Sequence, residues 1–331
     1  MKKALITGIN GQDGSYLSEL LLDKGYEVWG TLKRNSVAEN QTARLGESYK
    51  NVKLEYADLT DLASLIRVLS IVQPDEVYNL AAQSHVRISF DQPLYTANAT
   101  GIGALNVLEA VRLVSPHSKV YQASSSEMFG NTIDIDGYQR ETTSMNPVSP
   151  YGCAKVFAYN ISRNYRHSYG MFVSNGILFN HESPRRGTNF VTNKVCKEAV
   201  KIKLGLSNEL KLGNLDATRD WGHAKDYVEA MWMILQMDQS DDFVCATGIS
   251  HSVAELCDYV FSSLGLDYRD YVQQDKKFLR PEELHNLKGD SSKLQNATGW
   301  IPKYTFETML DEMVQYWLHY YEQKDTNNGR I

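Results

Sequence analysis

Tyr151 and Lys155 stand four residues apart in a stretch of helical pattern, which puts them one turn apart on a single face. A tyrosine with its ordinary pKa of about 10 is a poor base at neutral pH, and a neighbouring ammonium stabilises its phenolate. Upstream, Ser124-Ser125-Ser126-Glu127 gathers three hydroxyls and a carboxylate in four positions. Groups of these types pass protons to and from a bound substrate. Each also has a plainer explanation: Tyr-x-x-x-Lys arises by chance in helices, Glu127 could cap a helix, and Ser125 could be a turn hydroxyl. Their weight depends on the elements that would position them.

Those elements begin at the first residue. The apolar run Met1–Thr7 leads into Gly8-Ile9-Asn10-Gly11-Gln12-Asp13-Gly14, and a helical pattern (Tyr16, Leu17, Leu20, Leu21) follows at once. Strand, glycine turn and helix in this order set a helix N-terminus against a pyrophosphate in a doubly wound sheet. The spacing is G-x-x-G-x-x-G, a relative of the more familiar dinucleotide fingerprint. A second strand, Tyr26–Leu32, ends in Lys33-Arg34-Asn35-Ser36. A site for NAD would carry an acidic residue here, and basic residues suit the 2′-phosphate of NADP. Residues 35–50 read as a polar loop, functional or mobile. A third strand, Val52–Tyr56, runs into Asp58 and Leu59, where Asp58 can meet an adenine amino group. Thr60 or Asp61 can cap the helix that carries Leu62, Leu65 and Leu69.

The alternation continues with a strand over Glu76–Ala82 whose small terminal residues let backbone approach a cofactor, followed by Gln83, Ser84 and His85. A long helix spans about Tyr95 to Val114, and a fifth strand, Lys119–Ala123, opens into the serine run. Pro147, Pro150 and Gly152 punctuate the entry to the helix of Tyr151 and Lys155. A sixth strand, Phe172–Phe179, ends in Asn180–Gly187. Beyond it the pattern loosens into a helix at Val195–Ile202, a short strand at Leu210–Asn214, an apolar helix through Trp232 and Leu235, and a last amphipathic helix near Thr305–Tyr321.

The expectation is an α/β protein: a Rossmann-type doubly wound parallel sheet with helices on both faces, plus a smaller mixed α/β C-terminal substrate lobe. Residues 1–180 form the dinucleotide domain, to which the chain returns around 215–250. Residues 181–323 form the interleaved substrate lobe, and 324–331 a disordered tail.

Composition narrows the class. With 331 residues and a net charge of −6, the chain lacks the basic excess of a nucleic-acid-binding surface. No stretch approaches the roughly 20 apolar residues of a membrane span. The four cysteines have no metal-ligand spacing, and no basic-apolar leader precedes the first strand. Together these suggest a cytoplasmic protein with reduced thiols, no metal and no nucleic-acid or membrane partner.

The glycine turn, the serine run and Tyr151…Lys155 resemble the extended short-chain dehydrogenase/reductase family of nucleotide-sugar enzymes. One branch, the GDP-mannose 4,6-dehydratases, is similar along nearly the whole chain. The similar stretches are Gly8–Leu17, Tyr78–Ser84, Tyr121–Ser124 with Glu127, Ser149–Gly152, Gly176–Gly187, Gly213–Ala217, Arg219–His223, Tyr227–Trp232 and Arg280-Pro281. The resemblance implies a catalytic set of Ser125, Glu127, Tyr151 and Lys155. Tyr151 takes the proton of the sugar 4-hydroxyl, Glu127 removes the C5 proton, and Glu127 with Ser125 protonates the water leaving from C6. Hydride passes from C4 to NADP and returns at C6, so the cofactor stays tightly bound and is regenerated each turnover.

The resemblance also carries over binding residues. For NADP these are Gly8, Ile9, Asn10, Gly11, Gln12, Asp13, Arg34, Asn35, Ser36, Asp58, Leu59, Leu80, Ala81, Ala82, Gln83, Ser84, Tyr95, Tyr151, Lys155, His181 and Arg186. For the GDP-sugar they are Ser84, Ser125, Glu127, Tyr151, Asn180, Val191, Lys194, Arg219, Arg280 and Glu283. Two arginines for a diphosphate and a carboxylate for a ribose diol are sound chemistry. Two departures stand out. Ser125 occupies a place where the family usually has threonine, which removes the methyl that fixes a rotamer. Lys33 through Ala38 differ from the usual basic-serine run. In relatives that loop reaches a neighbouring subunit, so the resemblance implies a homo-oligomer, a tetramer or dimer of dimers. The rival readings are a dehydratase of another GDP-sugar such as a GDP-heptose, a reductase or epimerase of the same fold, and a non-catalytic NADP-binding regulator. Glu127 weighs against the epimerase, and the intact Tyr151, Lys155 and Glu127 weigh against the regulator. His223 reads as structural.

Overall fold

The computed structural model describes residues 1–35, 41–279 and 281–328, with side chains through 324. The first half alternates strand and helix: β1 (Lys3–Thr7), α1 (Gln12–Asp23), β2 (Glu27–Leu32), β3 (Lys53–Tyr56), α2 (Leu62–Val72) and β4 (Glu76–Asn79). It continues through α3 (Val86–Asp91), α4 (Pro93–Thr96), α5 (Gly103–Val114), β5 (Lys119–Ser125), α6 (Pro150–Tyr169) and β6 (Val173–Leu178). Local chemistry sets the boundaries. Asp61 caps α2 by accepting from the amides of Ala63 and Ser64. Ser149 caps α6, Pro150 occupies its first turn, and Gly170 ends it in a left-handed conformation.

The remaining elements are β7 (Asn180–Glu182), α7 (Val191–Lys203), β8 (Leu210–Leu212), β9 (Thr218–His223), α8 (Ala224–Gln236) and β10 (Asp242–Cys245). After them come β11 (Ser250–Ser252), α9 (Val253–Ser263), β12 (Val272–Gln274), β13 (Asn286–Leu287), α10 (Ser292–Thr298) and α11 (Phe306–Asn328).

Among the described residues the main sheet has seven strands in the order β10-β6-β5-β4-β1-β2-β3. Every neighbouring pair is parallel. The chain winds outward one way from β1 and the other way from β4, so the crevice for a ligand lies above the carboxyl ends of these two strands. Helices cover both faces, which is why all of β4 and β6 is buried. One face packs Leu17 and Leu21 of α1 against Met231, Ile234 and Leu235 of α8. The other packs Leu65, Val68 and Leu69 of α2 against Val107, Leu108 and Val111 of α5. Truncating one of these leucines to alanine costs about 2–5 kcal/mol. The second lobe has its own core, in which Val195 and Ala199 of α7, Leu256 and Val260 of α9, and Met309 and Met313 of α11 meet.

The structure departs from the sequence reading in four places. The helix expected over about 95–114 is interrupted by a π-helical turn, Ala97–Ile102. Gly103 sits so close to Leu59 that an added Cβ would lie 2.8 Å from the leucine's own Cβ. The expected sixth strand is two: β6 stops at Leu178, and β7 leaves the main sheet to pair with β9. Within the expected polar loop, Ala43–Lys50 forms two short 3₁₀ turns broken by a kink at Gly46 and anchored by fully buried Leu45. Finally, α11 continues through Asn328, so 324–328 are helical where a disordered tail was expected, and 329–331 lie outside the described residues. Among the described residues no helix is long and apolar enough to cross a membrane.

Candidate active site

The glycine turn is shaped by contact. Gly8 has φ +68, a conformation that L side chains rarely adopt, and its amide neighbour across the turn is Gly11, which donates to the Gly8 carbonyl at 2.9 Å. A Cβ on Gly14 would lie 2.5 Å from that carbonyl oxygen. Gly11 caps α1 without a side-chain hydrogen bond, so the first amides of the helix are left for a ligand. Ile9 turns the other way, fully buried against Gly30, and can offer a cofactor only its backbone.

A chain of buried hydrogen bonds ties the strand ends together beneath the crevice. Thr7 donates to Asn79 at 2.7 Å and accepts from the amides of Leu80 and Ala81, both at 3.1 Å. The Asn79 amide donates to Gln122 at 2.8 Å, and Ser124 donates to Asn175 at 3.2 Å. Buried networks of this kind fix geometry when every member is satisfied.

Two adjoining clefts share the crevice. Gly8, Asn10, Gly11, Gln12, Asp13, Arg34, Asn35, Asp58, Leu59, Leu80, Ala81, Ala82, Ser84, Tyr95 and Arg186 line the first. At its rim Lys33 pairs with Asp58 at 3.1 Å and donates to Tyr95 at 3.0 Å. Asp58 also accepts from the Thr60 amide at 2.9 Å and the Thr60 hydroxyl at 2.8 Å, so the carboxylate offered to adenine on sequence grounds already serves three protein donors. The second cleft is lined by Ser84, Ser125, Glu127, Tyr151, Lys155, Asn180, His181, Val191, Lys194, Arg219 and Glu283. Asp13, Leu80, Ala82, Ser84 and Arg186 belong to both. Among the described residues, Ile9 and Gln83 of the expected set are in neither lining. Gln83 is absent from both linings because its side chain bonds His85 and Thr96. Ser36 and Arg280 lie outside the described residues.

The acid–base groups converge from β5 and α6. Strand β5 runs two residues further than expected, so Ser124 and Ser125 are part of it, and Ser125 caps the 3₁₀ turn that carries Glu127. Burial pushes the Tyr151 hydroxyl up to about 12, and its hydrogen bond with Ser125 pulls the other way. Burial draws the Lys155 ammonium down to about 8, with the charge of Asp13 opposing it. Lys155 donates to the Ala123 carbonyl at 2.6 Å. The ammonium is thereby fixed against β5, 5.7 Å from the centre of the Tyr151 ring, and Ser125 makes the direct contact with the Tyr151 hydroxyl.

At the far end of the second cleft, Lys194 donates to the Lys211 carbonyl at 2.6 Å, with its ammonium 4.0 Å from the centre of the Phe278 ring. Arg219 is buried and donates to the carbonyls of Thr218 and Leu284, at 2.8 and 3.0 Å. Asp220 points away from it and accepts from Thr247, Gly248 and Gly289, so the two are not a surface pair. Burial raises the Asp220 carboxyl to about 6. Sequence reasoning missed Trp221, Lys277, Phe278, Asn189 and Phe190, which also line this cleft. Their approach depends on the fold of the second lobe, for which the sequence carried little periodic signal. His223 is fully buried; its Nδ1 accepts from the Lys225 amide at 3.0 Å, so its Nε2 carries the proton and faces Glu312 at 2.9 Å.

A glycine turn under the switch point of a doubly wound sheet, with a Tyr-x-x-x-Lys helix against a serine-bearing strand, defines an extended short-chain dehydrogenase/reductase. The crystal structure of UDP-glucose 4-epimerase from Thermus thermophilus in complex with NAD matches with a TM-score of 0.83 and 25% identity, over 95% of this chain and 98% of that one. The chain belongs to the GDP-mannose 4,6-dehydratase family, whose model matches residues 5–313. GDP-mannose 4,6 dehydratase 2 of Arabidopsis thaliana is 52% identical, covering 95% of this chain and 86% of the relative. GDP-mannose 4,6 dehydratase of Cricetulus griseus is 48% identical, covering 95% and 91%.

Proposed function

We propose that this chain converts GDP-D-mannose to GDP-4-keto-6-deoxy-D-mannose, a hydro-lyase reaction, with NADP as a tightly held, regenerated cofactor. The carrying observation is that Ser125, Glu127, Tyr151 and Lys155 line one cleft that adjoins the glycine turn. The residues of that turn suit a dinucleotide: Gly8 and Gly14 leave no room for a Cβ, and the amides of α1 stand uncapped. Arg34 and Asn35 on the rim favour the 2′-phosphate of NADP, since Lys33 is engaged by Asp58 and Tyr95. The bound nicotinamide would accept hydride from C4 of the sugar and return it at C6.

The remaining work falls to this chain. Tyr151 receives the proton of the 4-hydroxyl, helped by its hydrogen bond with Ser125. The ketone at C4 acidifies the C5 hydrogen, and Glu127 removes it. Glu127 and the Ser125 hydroxyl then supply the proton with which the C6 hydroxyl departs as water, and C5 takes up a proton again as hydride returns at C6, which balances the proton that Tyr151 received from the 4-hydroxyl. Positioned acid–base groups contribute about 10²–10⁴-fold each. Lys155 of α6, its ammonium anchored on the Ala123 carbonyl of β5, would hold the cofactor ribose. Residues 1–180 with α8 and β10 serve the cofactor, and 181–323 chiefly the nucleotide-sugar. A cytoplasmic homo-oligomer, a tetramer or dimer of dimers, completes the reading, supported by resemblance alone.

The test is incubation of purified protein with NADP or NAD and GDP-mannose, followed by mass. Loss of one water without net NADPH, faster with NADP, is the expected result. Unchanged sugar would overturn the substrate assignment. In Glu127→Gln, reduction of the cofactor should persist while dehydration falls by about 10³-fold; rapid formation of the 6-deoxy product would remove Glu127 from the mechanism.

A further inference from the structure

Asp13 is the one acidic residue in the first turn of α1, beside the amides offered to a pyrophosphate. A carboxylate there repels the ligand that the helix end attracts, so its place needs a reason. The reason is His181. Its Nδ1 lies 2.8 Å from the Phe179 carbonyl, which can only accept, so Nδ1 carries a proton. Its Nε2 lies 2.8 Å from an Asp13 carboxylate oxygen, which also accepts, so Nε2 carries one too. The ring is therefore an imidazolium. It is 8% exposed and stacked on Tyr227 with ring centres 4.6 Å apart.

We propose that Asp13 is a positioning residue that acts through His181: the pair pins β7 and the segment after it to the first turn of α1, so that one charged contact assembles both clefts. Neighbouring bonds run in the same direction. Gln12 donates to the His181 carbonyl at 3.1 Å and accepts from Ser183 at 2.8 Å. Arg185 reaches Ser15 and Glu19 on the next turns, at 3.1 and 2.6 Å. The pinned segment carries Asn180 toward the sugar and Arg186 toward the cofactor.

The electrostatics agree with the geometry. Burial works against both charges, yet His181 holds Asp13 below the ordinary carboxylate range and Asp13 holds His181 above the ordinary imidazole value. Other titratable groups face the pair. Arg186, itself paired with Glu182 at 3.2 Å, supports the carboxylate and opposes the imidazolium. Lys155 and Tyr151 of α6, Tyr121 of β5 and Cys245 of β10 feel the charge of Asp13, and Tyr227 of α8 supplies the stacking face.

The test begins with the full chain carrying ¹⁵N-labelled histidine, without substrate or cofactor. At neutral pH, where a free imidazole with its usual value of about 6.5 has lost a proton, the His181 signals should be those of a doubly protonated ring. A neutral His181 ring at that pH would overturn the proposal. In Asp13→Asn the ring should be neutral at that same pH, because burial then acts without the carboxylate that opposes it, and KM for GDP-mannose should rise about tenfold with kcat little changed. Asp13→Asn combined with His181→Gln should lose no more than His181→Gln alone; losses that multiply would show that Asp13 acts independently and overturn it too. The kinetic arm rests on the proposed substrate. The His181 signals do not, and they stand whether or not either variant folds.

Discussion

The two ends of the crevice are built on different principles. The end proposed for the cofactor is made of backbone: a glycine in a left-handed conformation, a second whose Cβ would touch a carbonyl, and an uncapped helix end, all between Gly8 and Gly14. The sugar-nucleotide end is made of side chains from β7, α7, β9 and the segment around Glu283, each held by a distant neighbour. A backbone site recognises the charge and shape common to many dinucleotides, and a side-chain site selects among sugars. Change of substrate within this fold is therefore expected at the second end while the first stays constant.

Substitutions at either end should separate them. Gly14→Ala is expected to weaken NADP binding by about 100-fold, since the new Cβ would lie 2.5 Å from the Gly8 carbonyl and 2.6 Å from Ile9 Cα. Binding of GDP should stay within a factor of two or so, and calorimetric titration with each ligand makes the comparison. Parallel losses for both ligands would mean that the ends are not independent. Lys194→Ala should do the reverse, raising KM for GDP-mannose by about tenfold with kcat and NADP affinity little changed. A fall in kcat of that size would place Lys194 nearer the chemistry than its contacts with Lys211 and Phe278 indicate.

The smallest effect is reserved for a contact behind the second end. The His223 Nε2, 2.9 Å away, draws the Glu312 carboxyl down to about 2, more than any other group does. A folded-state pKa below the unfolded value stabilises the fold above the unfolded value and ceases to do so as pH falls through the folded one. Glu312→Gln should therefore lower Tm by about 2 °C at neutral pH, an effect that fades between about pH 4.5 and 2. Because Glu312 is a third exposed, solvent screening keeps the effect small. A loss that persists unchanged into strong acid would show that packing, and not the charge, is what Glu312 contributes.

Much of this could be read from local sequence. Glycine spacing announced the turn, Thr60 or Asp61 and the run of Pro147, Pro150 and Gly152 announced helix starts, and the alternation of strand and helix announced six parallel strands. What escaped depends on pairing across the chain. β10 has four residues, too few for a periodic signal, and is a strand because β6 offers it an edge. The π turn at Ala97–Ile102 lies between helices whose register is set by packing against α6 and Leu59. Asp13 and His181 are 168 residues apart, and nothing near either one indicates the other. Of the substrate cleft, Asn180, Lys194, Arg219 and Glu283 were legible through resemblance, whereas Phe278 and Trp221 needed the folded lobe.

The return of the chain to the first sheet has a bearing on how the molecule is made. Leu17 and Leu21 of α1 are made about 200 residues before their cover on α8, and the β6 edge stays open until Cys245 has been synthesised. A nascent chain halted at residue 180 would carry a finished glycine turn on an unfinished body, with an apolar helix face and a bare strand edge turned to water. Such surfaces invite association with other chains. The dinucleotide half is thus no portable module: it can be inherited, duplicated or fused only together with the α8–β10 segment that seals it.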